Sequence, residues 1–76
     1  MKIQILGTGC PKCKQLYENA QNAVNETGTE ASISKVENIN DIMTYGVMIT
    51  PAIVINGEVK AAGKVSTTEE IKDWIQ

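Results

Sequence analysis

The chain has no histidine, no arginine and no phenylalanine, and its only aromatics are one tryptophan and two tyrosines in 76 residues. Without histidine there is no imidazole base near neutral pH, no Ser-His or Cys-His nucleophile and no His-ligated zinc. Seven lysines stand against nine acidic residues, giving a net charge of −2. With no basic stripe and no guanidinium for base edges, nucleic acid is excluded as a partner. No apolar run reaches the roughly 18 residues a membrane span needs, and no charged-then-apolar leader opens the chain. The expectation is a cytoplasmic protein with no membrane contact. Cysteine is scarce too, with two in the chain. A disulfide across only four residues would stabilise by roughly 2 kcal/mol, which makes this pair a poor staple and directs attention to its reactivity. The length fits one domain, residues 1–76, near the lower limit for a single hydrophobic core.

The two thiols stand in Cys10-Pro11-Lys12-Cys13, directly after the apolar strand Ile3-Gln4-Ile5-Leu6 and at the start of a helix. Thiols separated by two residues can close a small disulfide or grip a metal together. A helix amino terminus offers unpaired N–H groups and the positive end of a dipole, both favouring thiolate over thiol. In a chain without a secretory signal, such a pair reads as catalytic or metal-binding.

The pattern along the chain predicts the rest. A strand over about Lys2 to Leu6 ends at Gly7-Thr8-Gly9, and a helix runs from about Pro11 to Thr27, with proline suited to the first turn. Leu16, Tyr17, Ala20, Ala23 and Val24 recur at helical spacing, and Gly28 stands where a left-handed C-terminal residue belongs. Ala31 to Val36 alternates weakly as a second strand. A short helix capped by Asn38 is expected to turn Ile39, Ile42 and Met43 inward and to end at Gly46. Ala52-Ile53-Val54-Ile55 reads as a buried strand, joined by the hairpin signal Asn56-Gly57 to Glu58-Val59-Lys60-Ala61. Two overlapping capping boxes, Ser66 with Glu69 and Thr67 with Glu70, precede a last helix with Ile71, Trp74 and Ile75 on one face. The order βαβαββα predicts an α/β fold: a four-stranded mixed sheet with helices on both faces. Met43 and Met48 read as gap-fillers in the core and Tyr17 as packing.

Gly9-Cys10-Pro11-Lys12-Cys13 after the first strand, Thr50-Pro51 before the third and Gly63 just after the fourth together resemble the thioredoxin fold. The chain is most similar to small thioredoxin-like, glutaredoxin-like redox proteins of archaea and bacteria with a Gly-Cys-Pro-x-Cys site, and the resemblance covers essentially its whole length. It implies a thiol–disulfide oxidoreductase that reduces protein disulfides. Cys10 is then the attacking nucleophile and Cys13 the resolving thiol, closing a redox disulfide Cys10-Cys13. Pro11 and Lys12 modulate the pair, and Thr50, cis Pro51 and Gly63 receive the substrate, the Thr50 backbone pairing with an extended substrate strand. No cofactor is implied. Electrons would come from a flavoprotein of the thioredoxin reductase kind or another thiol donor, and the protein is expected to be a monomer.

Two positions depart from the family. Thioredoxins keep a buried carboxylate six positions before the first motif cysteine, where this chain has Gln4, leaving water or Lys12 to assist proton transfer at Cys13. Glutaredoxins bind glutathione through an acidic or hydroxyl pair after a Gly-Gly turn; here Ala62-Gly63-Lys64-Val65 intervenes, so weak or no glutathione dependence is expected. Lowering a thiol pKa from about 8.5 to about 6.5 raises its thiolate fraction at pH 7 about 24-fold, while intrinsic nucleophilicity falls roughly 6- to 10-fold. The larger benefit comes when Cys10 is the leaving group. The rival readings are a soft-metal carrier for Cu(I) or Zn(II) and a dimer sharing zinc or an iron–sulfur cluster. Small metallochaperones of this length typically have Met two residues before the first cysteine, where this chain has Thr8, and end in a strand rather than a helix.

Overall fold

The computed structural model describes residues 1–9 and 11–76; Cys10 lies outside the described residues. The elements follow in the order β1 (Lys2–Leu6), α1 (Pro11–Thr27), β2 (Ser32–Val36), α2 (Ile39–Thr44), β3 (Ala52–Ile55), β4 (Glu58–Ala62) and α3 (Thr68–Ile75). The sheet order is β2-β1-β3-β4, with β1 parallel to β2 and antiparallel to β3, and β3 antiparallel to β4. This is the mixed four-stranded sheet that the sequence predicts.

Alternation along β1 and β3 divides the apolar residues between two faces. Pairing sets Ile3 opposite Ile55 and Ile5 opposite Ile53, and these four pack with Leu16, Ala20 and Ala23 of α1 and with Ile71 and Ile75 of α3. Trp74, Tyr17 and Val24 are partly buried against the same cluster. On the opposite face Leu6, Ala52 and Val54 meet Ile42 of α2 and Val47. Burying a side chain of this size contributes about 1.5–3 kcal/mol.

The hairpin forms as its sequence requires. Asn56 (φ 51°) and Gly57 (φ 83°) both occupy the left-handed region that a two-residue turn with primed geometry needs. Asn56 also fastens the turn to β1: its Oδ1 accepts from the Lys2 N–H at 2.9 Å and its own N–H donates to the Lys2 carbonyl at 2.8 Å.

At α3 one of the two overlapping capping boxes is realised. The Glu70 N–H donates to Thr67 Oγ1, and the Thr67 N–H donates to Glu70 Oε1, both at 3.1 Å. Lys64 Nζ reaches Glu70 Oε2 at 2.7 Å, and this bond, followed by the one from the Thr67 backbone, holds the Glu70 carboxyl below its ordinary range. Ser66, the alternative cap, is instead fully buried, and its hydroxyl has no hydrogen-bond partner among the described residues. Its carbonyl accepts from Asn19 Nδ2 at 2.9 Å, which ties the start of α3 to α1.

Three expectations need correction. Ile39 and Met43 do not face inward: they are 60% and 63% exposed, and only Ile42 of α2 reaches the core. A helix of six residues makes less than two turns, and the sheet beneath it covers one inward position. Met48 fills no gap, being 94% exposed, and Ile49 beside it is 65% exposed.

Candidate active site

The loop after β1 brings the separated motifs to one point. Cys13, in the first turn of α1, is buried with 6% exposure, and its sulfur lies against Gly7. A Cβ built on Gly7 would overlap Cys13 Sγ, would stand 3.2 Å from Cys13 Cβ, and would meet Thr50 Cβ at 3.9 Å. Position 7 therefore accepts only glycine without displacement, because the helix that carries the thiol and the segment Thr50-Pro51 converge on its Cα. The Gly7 N–H donates to the Val36 carbonyl at 3.0 Å, continuing the β1–β2 pairing past the strand end and fixing this point to the sheet.

Thr50 is exposed and Pro51 is buried, and the peptide bond between them is cis. The Pro51 carbonyl accepts from the Gly63 N–H at 2.9 Å. Gly63 has φ 76°, and a Cβ there would sit 2.8 Å from Ile49 Cγ2, so a side chain is opposed both by the left-handed backbone and by the Ile49 side chain. The three residues expected to receive substrate are thus neighbours, bordered by Met48 and Ile49. A cleft of about 390 Å³ beside Thr50 is lined by Thr8, Ile39, Ile42, Met43, Val47, Met48 and Thr50. The exposed apolar residues of α2 and the following loop form its wall.

A second cleft, of about 310 Å³, opens onto Cys13 from the other side and is lined by Ile5, Gly7, Thr8, Gly9, Cys13, Lys14, Lys35 and Glu37. Lys12 and Pro11 are exposed and line neither cleft; Lys14 is the motif-proximal ammonium beside Cys13. Cys10 itself is outside the described residues. Neither Lys35 nor Glu37 stands in a sequence motif. Their signal is positional: they lie at the carboxyl end of β2, parallel to β1, where sites in α/β sheets gather. Lys35 is steered by Tyr17, its Nζ standing 4.7 Å from the ring centroid. Gln4, at the position of the missing carboxylate, is on the α2 face, where Tyr45 Oη donates to its Oε1 at 2.7 Å.

The sheet order, the helix springing from the end of β1 with a cysteine in its first turn and the abutting Thr50-Pro51 define a thioredoxin-like α/β class. Comparison with known proteins agrees over the full length. The thioredoxin-domain family profile matches residues 1–76. A thioredoxin of Methanocaldococcus jannaschii is 45% identical over 74 residues, covering 97% of this chain and 85% of that protein. A thioredoxin of Methanothermobacter thermautotrophicus is 43% identical over 72 residues, covering 95% and 94%. The chain belongs to the thioredoxin family and is a thiol–disulfide oxidoreductase, a thiol-based reductant acting on disulfide substrates. Among the described residues no helix is long and apolar enough to cross a membrane.

Proposed function

We propose that residues 1–76 form a single domain that reduces protein disulfides by dithiol exchange through Cys10 and Cys13. Cys10 attacks a substrate disulfide as the thiolate and forms a mixed disulfide. Cys13 then attacks the Cys10 sulfur, expels the second substrate thiol and leaves the Cys10-Cys13 disulfide in the protein. Pro11 and Lys12 tune the pair from the first turn of the helix. Thr50, Pro51 and Gly63 receive the substrate chain, and the apolar wall of Ile39, Met43 and Met48 covers its side chains. Electrons return from a flavoprotein of the thioredoxin reductase kind or another thiol donor, and the protein acts as a cytoplasmic monomer.

The convergence of the buried Cys13 sulfur and Thr50 on Gly7 carries this reading. A thiol held beside Thr50 supports an intramolecular second step, which gains from effective molarity. A soft-metal carrier on the same cysteines is disfavoured by the family and by the terminal helix α3. Cys13→Ser tests the reading. Incubated with oxidised insulin chains, it is expected to accumulate a covalent adduct at Cys10, visible by mass and reversed by dithiothreitol, while Cys10→Ser forms none. Retention of insulin reduction by Cys10→Ser would overturn it.

A further inference from the structure

We infer that Glu37 is the proton acceptor for Cys13 in the resolving step, replacing in this chain the carboxylate that Gln4 does not supply; the inference rests on Cys13 being the resolving thiol. Cys13 is nearly closed to solvent, so its thiol proton needs a route out. The cleft of about 310 Å³ that opens onto it is large enough for several waters at about 30 Å³ each. Of its lining side chains, Ile5 and the two glycines offer no acceptor, Thr8 offers only a weakly basic hydroxyl, and the ammonium groups of Lys14 and Lys35 are donors. Glu37 is exposed and is the one carboxylate among the described lining residues.

Its position is fixed by the same contacts that fix the thiol. The Gly7 N–H holds the carbonyl of Val36, the residue before Glu37, while the Cα of Gly7 abuts the Cys13 sulfur. Glu37 Oε2 lies 3.6 Å from where a Cβ on Gly9 would be, against the residue that precedes Cys10. Gln4 cannot take this part, being an amide engaged by Tyr45 on the other face of the sheet.

The step balances. The sulfur of Cys13 forms a bond to the sulfur of Cys10 as the bond from Cys10 to the substrate sulfur breaks, and the electron pair of that bond leaves on the substrate thiolate. The Cys13 proton passes to the Glu37 carboxylate, directly or through water in the cleft, and from there to the departing thiolate or to solvent. Cys13 and Cys10 are oxidised together and the substrate disulfide is reduced. Lys14 and Lys35, lining the same cleft, offset the negative charge on sulfur as the proton leaves.

The test follows the mixed disulfide with insulin by rapid mixing, acid quench, alkylation and mass, from pH 6 to 9.5, with Cys13→Ser as the unresolved reference. Glu37→Gln is expected to lengthen its lifetime about tenfold at pH 6.5, where an ordinary thiol near 8.5 is only about 1% ionised. Its log rate should climb about one unit per pH unit and meet the wild type above pH 9, where the thiol ionises unaided. Glu37→Asp should recover part of the loss. Lys14→Met and Lys35→Met separate proton transfer from the charge balance of the cleft. If the Glu37→Gln profile superimposes on the wild type, or if either lysine variant shifts the profile as Glu37→Gln does, the inference fails while the dithiol reading stands. If Cys13→Ser accumulates no mixed disulfide, the dithiol reading fails and takes this inference with it.

Discussion

The two faces of the sheet are built to different standards. Under α1 and α3, Ile3, Ile5, Ile53, Leu16, Ala20, Ala23 and Ile71 are sealed almost completely. On the α2 face a small cluster around Leu6 and Val54 is buried, but its border, Ile39, Met43, Met48 and Ile49, stands largely in solvent. Exposed apolar residues so closely grouped mark an interaction surface on a small domain. The difference teaches where a 76-residue chain puts its stability and where it puts its chemistry. One face supplies the core, and the other, with the loops at the end of β1, keeps apolar surface available beside the cleft at Thr50.

Substitutions can break this contrast. The largest effect is expected at the sealed face: Ile53→Ala should cost about 2–5 kcal/mol, while Met48→Ala on the open border should stay within about 0.5 kcal/mol. Thermal melts would read the first as a fall in Tm of about 10 °C or more and the second as nearly none. Equal shifts would show that the faces do not differ in this way.

Gly7→Ala sharpens the comparison at the seam between the faces. Its Cβ must displace the Cys13 sulfur or the loop itself. We expect insulin reduction to fall about a hundredfold, because a misplacement of about 1 Å costs that much in a positioned reaction, with overpacking lowering stability by about 1–3 kcal/mol. Intact turnover in this variant would show that the tight approach at Gly7 does not position the thiol.

The smallest effect is at the cap of α3. The Glu70 carboxyl is held below its ordinary value of 4.5 by Lys64 and then by the Thr67 backbone. A lowered carboxylate stabilises the fold above its unfolded pKa, and that stabilisation is lost as pH falls through the folded value. The wild type should therefore lose slightly more stability than Glu70→Gln between pH 5 and pH 3, a gap that salt narrows because the pair with Lys64 is exposed. Parallel curves would mean that the bond contributes nothing measurable.

How much of this could be read beforehand depended on the range of the interaction. The Asn56-Gly57 turn and the Thr67 cap were legible because each is decided within four residues by backbone geometry or a local hydrogen bond. The topology followed from apolar periodicity, which reports where a core face lies. Periodicity does not report how far the covering layer extends, and so it assigns Ile39 and Met43 to an interior they do not reach. The grouping of Thr50, Pro51 and Gly63 was legible by resemblance. Glu37 and Lys35 were not, since neither stands in a motif and only the parallel register of β2 on β1 carries them to Cys13. The bond from Tyr45 to Gln4 spans 41 residues and was beyond any local pattern.

Everything proposed for the site rests on a division of labour in which Cys10 attacks and the buried Cys13 resolves. The most direct measurement is time-resolved alkylation of the fully reduced native protein with iodoacetamide at pH 7, each site quantified by peptide mass. One rapid equivalent is expected on Cys10, with Cys13 modified at least about tenfold more slowly until the protein is denatured, because only the thiolate reacts and burial withholds both solvent and reagent. Modification of Cys13 first, or of both cysteines at one rate, would contradict it.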